Sequence, residues 1–195
     1  SMLLITSSSF TVTDYNDKSF ISTYGGTWTQ EGDGEVNVFV HFNTATTPQA
    51  GKGGNVPVTM ENGHLITNNA SGEKQEWTCV DNGAGPLAGN WHITSRESNG
   101  KMTAIPEGPR KTLKILAGTR FQWVAINLET GEFFGTGGGT YTFENGTYTE
   151  KIEFFSRDNS RVGAVLAFKG SVNGNNWDHS GLSSKGDPIH EVWTK

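Results

Sequence analysis

The chain has 195 residues, of which 26 are glycine, and 18% of its residues are charged, with a formal net charge of −5. It has no Lys/Arg cluster, so neither a nucleic acid nor an anionic membrane is the expected partner. No apolar run reaches the roughly 20 residues of a membrane-spanning helix. The single cysteine, Cys79, cannot form an internal disulfide. Abundant Gly, Thr and Asn without a long helical pattern predict short strands joined by turns, which indicates an all-β fold.

The first stretch of the chain, residues 2–80, begins directly with the strand-like segment LLIT. Further along, strand alternation places four apolar residues on one face of a predicted strand, namely Val36, Val38, Val40 and Phe42. This face carries no acid, so we expect it to fill the interior of a β structure with neutral side chains.

The segment Asp81–Pro86, DNGAGP, follows this stretch, and the sequence after the segment repeats residues 2–80. Gly26-Thr27-Trp28 lies 113 positions before Gly139-Thr140-Tyr141, and other landmarks keep nearly the same offset. We therefore predict two tandem copies, at residues 2–80 and 87–195. The first copy has no counterpart of the strand that opens the second, so we expect a degenerate repeat that lacks strand 1.

Alternation bounded by turn residues predicts eight strands in the second copy, joined by short turns such as ENGT and NGNN. Short links favour neighbouring antiparallel strands, and about eight of these can close into an up-and-down barrel. The predicted strands are Asn90–Thr94, Thr112–Leu116, Phe121–Asn127, Phe133–Phe143, Tyr148–Phe155, Val165–Val172, Trp177–Gly181 and Ile189–Thr194.

Gly89-Asn90-Trp91 at the start of this meander resembles the Gly-x-Trp signature that opens lipocalin-like (calycin) barrels. With GTGGGTY, YTEKIEFF and HEVW, residues 87–195 are similar to small secreted lipocalin-like proteins of bacteria. The resemblance implies two tandem lipocalin-like barrels and a structural role for Trp91. It extends to residues 2–80 only because they repeat residues 87–195. It also implies a secreted or periplasmic protein from which a signal peptide has been removed.

Strand parity places ionisable side chains on apolar faces of the second copy. Glu150 shares a face with Tyr148, Ile152 and Phe154, while Thr149, Lys151 and Glu153 are expected to face water. His179 shares a face with Trp177, and Glu191 with Trp193. The first copy has neutral residues at the three matching positions, Val38, Thr67 and Gln75.

These residues predict a ligand pocket inside the second barrel, because a buried carboxylate needs a partner, a proton or water. The alternative is structural: Glu150 and His179 form a buried cross-link, Glu191 pairs with Arg120 or Lys114, and the tryptophans are core residues. The predicted ligand-binding residues are Glu150, His179, Glu191, Tyr141, Trp123, Trp177 and Trp193.

The leading functional hypothesis is a small-molecule binding protein. An enzyme that uses Glu150 and His179 for general acid/base chemistry is the second hypothesis. The third is a structural or interaction module, for example a homodimer formed through an open strand edge of the first copy. We expect no cofactor. One His and two carboxylates on separate strands, with no short-spaced His pair, also make a metal site unexpected.

Overall fold

The computed structural model describes residues 1–17, 19–45, 51–69 and 71–195. We call residues 2–80 the first unit and residues 87–195 the second unit. Their described strands pair antiparallel throughout. The second unit contains a short 3-10 helix, Asn159–Arg161, and the strands β9 (Gly89–Ser98), β10 (Lys101–Ala104), β11 (Arg110–Leu116), β12 (Arg120–Asn127), β13 (Phe133–Glu144), β14 (Thr147–Phe155), β15 (Val165–Asn173), β16 (Asn176–Leu182) and β17 (Pro188–Thr194).

The second unit, all of whose residues are described, forms a closed antiparallel barrel of eight strands. Strands β11 to β17 follow one another in order, and β9 pairs with both β11 and β17 and so closes the cylinder. Each of the eight predicted strands overlaps one of these. Tight turns make the order possible: Asn145 and Gly146, both at positive φ, connect β13 to β14. The additional strand β10 pairs with residues 95–98, the C-terminal end of β9.

The first unit is open rather than a second closed barrel. Its described strands are β1 (Met2–Ile5), β2 (Ser9–Asn16), β3 (Ser19–Gln30), β4 (Glu35–Asn43), β5 (Lys52–Pro57), β6 (Thr59–Glu61), β7 (His64–Asn68) and β8 (Lys74–Thr78). They form a five-stranded sheet, β1 to β5, and a three-stranded sheet, β6 to β8. Within the described ranges no strand lies between β8 and β1 and pairs with both, so the cylinder is not completed.

Both units carry a β-bulge at the same place in the repeated phrase. The register shifts between Gly25 and Gly26 where β3 pairs with β4, and between Gly138 and Gly139 where β13 pairs with β14. The extra residue reverses the face that follows it. The prediction that Phe42 and Phe154 face the interiors is therefore wrong, because both rings lie on the outer faces of their sheets.

The two glycines before the bulges let these rings lie against the neighbouring strand. A Cβ on Gly25 would lie 2.5 Å from the carbonyl oxygen of Phe10 and 3.0 Å from the Phe42 ring. A Cβ on Gly138 would lie 2.5 Å from the Phe121 carbonyl oxygen and 2.5 Å from the Phe154 ring. Larger residues would force the strands or the rings apart.

The two units pack through these outer faces, and the contacts are reciprocal. Phe20 stacks on Phe133 with ring centroids 6.4 Å apart and an interplanar angle of 8°. Phe20 also contacts Phe154, and Phe133 contacts Phe42, each at a centroid distance of 6.4 Å. Phe154 packs with Met2, while Phe42 packs with Val124 and Ile126 of the second unit.

A buried hydrogen-bond network fills the middle of this interface. The Gln122 amide donates to Thr23 Oγ1 at 3.1 Å and to Thr136 Oγ1 at 3.0 Å. Thr13 Oγ1 donates to the Gln122 carbonyl oxygen at 3.0 Å. All four side chains are almost completely buried. Because buried polar groups are costly when unpaired, this network fixes how the units fit together.

Candidate functional site

The structure places the three predicted ionisable residues inside the second barrel. Glu150, His179 and Glu191 are 4%, 2% and 6% exposed. Their strands β14, β16 and β17 alternate as the sequence indicates, and their neighbours Tyr148, Trp177 and Trp193 on the same faces are buried in the barrel core. Glu153, predicted to face water, instead lies at the unit interface, where it accepts a hydrogen bond from the Tyr15 hydroxyl at 2.8 Å.

Lys114 on β11 is the partner of Glu150. Lys114 Nζ lies 2.7 Å from Glu150 Oε1, and both side chains are almost completely buried. The expectation that His179 is the partner of Glu150 is therefore wrong. The sequence of β11 does indicate that Lys114 faces the barrel interior, because Lys114 lies two residues before the barrel-facing Leu116. No local sequence pattern, however, connects β11 with β14.

The Lys114 ammonium group is surrounded by aromatic rings as well as by its carboxylate. Its nitrogen lies between 4.9 and 5.7 Å from four ring centroids. Cation–π attraction of this kind is worth more in a dehydrated site than at a surface. The four rings belong to Phe121, Tyr148, Trp177 and Trp193.

Glu191 is held by Arg96 rather than by either of its predicted partners. Arg96 Nε and Nη2 donate to Glu191 Oε1 at 3.1 and 2.8 Å, because Glu191 and Arg96 are opposite each other in the β17–β9 pairing. Glu191 therefore has a basic partner, as predicted, but a different one. Of the two predicted partners, Lys114 pairs with Glu150, and Arg120 pairs with Glu153 at the interface.

His179 lies between the two ion pairs and is neutral. Its Nδ1 is 3.8 Å from Glu191 Oε2, and its ring packs 4.2 Å from the Phe168 ring centroid. Burial lowers the pKa of His179 to about 2, with further lowering by the positive charges of Lys114 and His190. A histidine with so low a pKa is a poor proton acceptor near neutral pH, so the geometry does not favour the acid/base hypothesis.

We expect acidification to destabilise the fold through His179. The folded state keeps this histidine neutral, whereas the unfolded chain, with an ordinary pKa of 6.5, takes up a proton. The unfolded state therefore binds more protons below pH 6.5, and stability falls as the pH falls. Between pH 7 and pH 5 this contribution amounts to about 2 kcal/mol. Urea unfolding of wild type and His179→Phe at both pH values measures it as the difference between their pH-dependent losses.

His190→Gln is the matched control, because the sign of its effect is opposite. Hydrogen bonds to Asp178 and Glu97 raise the pKa of His190 above its ordinary value. Its contribution is therefore present below the unfolded pKa and is lost as the pH rises through the folded pKa. A His179→Phe protein with the same pH-dependent loss as wild type would contradict the assignment of the acid sensitivity to His179.

The predicted aromatic residues belong to the same core, at different depths. Tyr141, Trp177 and Trp193 are buried in it, and Trp123 is partly buried beside Phe155. The Tyr141 hydroxyl donates to the Ala117 carbonyl oxygen at 2.6 Å, and burial raises its pKa to about 12. Tyr141 is thus tied to the barrel wall, while Trp177 and Trp193 lie beside the Lys114 ammonium group.

Several buried polar atoms inside the barrel have no hydrogen-bond partner in the described part of the chain. They include both ring nitrogens of His179 and the indole nitrogens of Trp177 and Trp193. Buried groups of this type usually pair with protein, water or a ligand. The barrel interior is therefore tightly packed, but not all of its buried polar atoms are hydrogen-bonded within the described part of the chain.

The first unit contains a feature that sequence analysis missed, an apolar cleft of about 370 Å³. It lies between the faces of the five-stranded and three-stranded sheets that correspond to the barrel interior. None of the seven predicted site residues lines it. The signal in the sequence was the run of neutral residues in the first copy, which sequence analysis interpreted as filler. Residues lining the cleft include Leu3, Trp28, Val36, Val38, Thr67, Gln75 and Trp77.

Among the described residues, no group of three or more His, Cys, Asp or Glu side chains is arranged to hold a metal ion. No helix in that part of the chain is long and apolar enough to cross a membrane. Comparison with known proteins finds no matching family model and no match among curated proteins.

Proposed function

We propose that this protein binds an apolar small molecule in the cleft of the first unit. The observation that carries the proposal is a mostly apolar cavity, about 370 Å³ in volume and with Glu35 as the charged residue among its described lining residues, at the position where the second unit is filled and charged. Ligand sites are typically mostly apolar clefts of about 300–1,000 Å³ with a few polar groups. The polar groups here include Thr67 and Gln75, and the apolar wall includes Val38 and Trp28. The other polar lining side chains include Gln30, Glu35 and Asn68.

We also propose that the two units are copies of one lipocalin-like barrel. The strand order and the bulge positions agree between β1–β5 and β11–β15, which supports a repeat. At the sequence offset of the repeat, four charged or ionisable interior residues of the second unit become neutral in the first. Lys114, Glu150, His179 and Glu191 correspond to Leu3, Val38, Thr67 and Gln75. The resemblance of the sequence alone supports the accompanying proposal of a secreted or periplasmic setting.

The interior of the second barrel is the second candidate site. The unpartnered nitrogens of His179, Trp177 and Trp193 favour a small polar ligand there. The Lys114–Glu150 pair fills part of the same space, so such a ligand would have to be smaller than one bound in the cleft.

Titration with the neutral dye N-phenyl-1-naphthylamine tests the cleft. We expect saturable binding with increased dye fluorescence, because the cleft excludes the dye from water. Val38→Asp is expected to weaken binding at least tenfold, since a carboxylate on the cleft wall retains water. Val38→Trp is expected to weaken it similarly by filling the cavity while leaving its surface apolar.

Val165→Asp is the matched control, because Val165 on β15 is 62% exposed and lies outside the cleft. Its affinity for the dye should equal that of wild type. Dye binding that survives both Val38 substitutions would contradict the proposal. Dye binding that is lost in Glu150→Gln but not in Val38→Asp would move the site to the second barrel.

A further inference from the structure

Two strand edges of the first unit border a second cavity, about 710 Å³ in volume, which we call the strand slot. Among the described residues, β1 pairs with β2 alone and β8 pairs with β7 alone. Each strand therefore has one edge whose backbone groups pair with no other described strand. The slot is lined by residues of both strands, including Met2, Leu3, Leu4, Ile5, Glu76, Trp77 and Thr78.

The same place in the second unit is occupied by a strand. There β9 lies between β11 and β17 and pairs antiparallel with both, for example through Trp91 opposite Lys114 and Ile93 opposite Trp193. Trp91 and Ile93 are buried in the barrel, and the residues between and beside them are less buried. One extended segment with apolar side chains at alternate positions thus closes the second unit.

The chemistry of the slot suits a segment of the same kind. Leu3, Leu65 and Trp77 line both the slot and the ligand cleft and form an apolar inner wall. Ile5, at the end of β1, is 40% exposed beside them. Polar and charged residues also line the slot, among them Glu76 and Thr78 on β8 and Arg120 of the second unit. An added strand would therefore bury apolar side chains on one face and keep polar ones on the other.

We propose that the strand slot receives an extended segment of a partner protein, which adds as a strand antiparallel to both β1 and β8. The partner segment has apolar or aromatic side chains at alternate positions, as β9 has in Trp91 and Ile93. Main-chain hydrogen bonds to the edges of β1 and β8 that pair with no other described strand supply affinity, and the apolar wall supplies specificity. The inference rests on the proposed correspondence between the two units.

Cys79 provides a direct test, because it is exposed, directly follows β8 and lines the slot. In the second unit, Thr194 pairs with His92, so the end of β17 lies beside the N-terminal half of β9. Two peptides are made from residues 89–96, GNWHITSR, one with cysteine replacing the first residue and one with cysteine replacing the last. Each is activated as a thiopyridyl disulfide, so that exchange with the Cys79 thiolate joins the peptide and releases thiopyridone.

We expect the N-terminal cysteine peptide to react at least tenfold faster than the C-terminal one, measured by mass spectrometry. Glutamate at both inward positions of the peptide, those of Trp91 and Ile93, is expected to remove this advantage. Cys79→Ser is the control in which no adduct forms. Equal rates for the two peptides, or a faster C-terminal one, would overturn the proposed antiparallel addition. A dimer of the protein that the peptide dissociates would assign the slot to a second copy and overturn the proposal of a separate partner.

The small-molecule proposal and the strand proposal can fail separately. Val38 lines the ligand cleft but not the slot, so Val38→Asp is expected to react with the N-terminal cysteine peptide at the wild-type rate. Selective reaction without dye binding overturns the small-molecule proposal alone. Dye binding without selective reaction overturns the strand proposal alone.

Discussion

Replacing Glu150 with alanine is expected to lower the free energy of unfolding by about 3–5 kcal/mol. The substitution leaves the Lys114 ammonium group buried without its carboxylate, 2.7 Å away in the native protein. The surrounding aromatic rings offset only part of this cost, because cation–π contacts are worth roughly 0.5–2 kcal/mol. Urea unfolding at pH 7, followed by tryptophan fluorescence, measures the loss.

The double variant Lys114→Met, Glu150→Leu shows whether the loss comes from the unpaired charge. Replacing both charges with apolar residues of similar volume is expected to restore most of the stability. Glu144→Ala, at an exposed position at the end of β13, is the surface control and should cost less than about 0.5 kcal/mol. A single Glu150→Ala variant that loses less than about 1 kcal/mol would show that water or structural relaxation reaches Lys114.

Replacing Phe154 with alanine is expected to cost about 3–5 kcal/mol. Its ring is completely buried between the units, where it packs against Met2 and Leu4 of the first unit. The loss should exceed that of an ordinary surface aromatic because the strands on both sides are fixed by β ladders and cannot collapse into the cavity. Urea unfolding measures it, and limited proteolysis should show earlier cleavage in the first unit.

Phe39→Ala provides the comparison, since Phe39 is 42% exposed on β4 and lies outside the interface clusters. It should cost far less than Phe154→Ala. The reciprocal packing also predicts that Phe42→Ala behaves like Phe154→Ala, because Phe42 fills the corresponding position. A Phe154→Ala protein as stable as Phe39→Ala would contradict the description of these rings as the joint between the units.

The strands of the second unit were predictable because the information that defines them is local. Period-two alternation and short turns mark all eight barrel strands. Strand β10 was missed, although Asn99 and Gly100, both at positive φ, are a hairpin signal between it and β9. Its four residues are all exposed, so no buried face produces alternation in the sequence.

The faces of the strands were predictable up to the bulges and not beyond them. Parity correctly places Glu150, His179 and Glu191 inside the barrel. It fails at Phe42 and Phe154, since one inserted residue reverses the alternation and the sequence does not mark where the insertion falls.

The partners of the charged residues were the least predictable part of the site. Lys114 and Glu150 lie on strands that are separated in the barrel wall and meet only across its interior. Arg96 reaches Glu191 because β9 closes the barrel against β17. Both contacts depend on closure, a property of the whole cylinder, so no window of sequence contains them.

The near-parallel stacking of Phe20 on Phe133 also bears on how the two units are held together. Reciprocal contacts around such a point are the geometry through which identical subunits associate. Joining the two partners in one polypeptide makes that association independent of protein concentration. The first unit can then remain folded although its described strands do not close a cylinder, because it packs against the second unit. An exposed strand edge is normally a hazard for aggregation, and we propose that the edges of β1 and β8 that pair with no other described strand bind a partner strand instead.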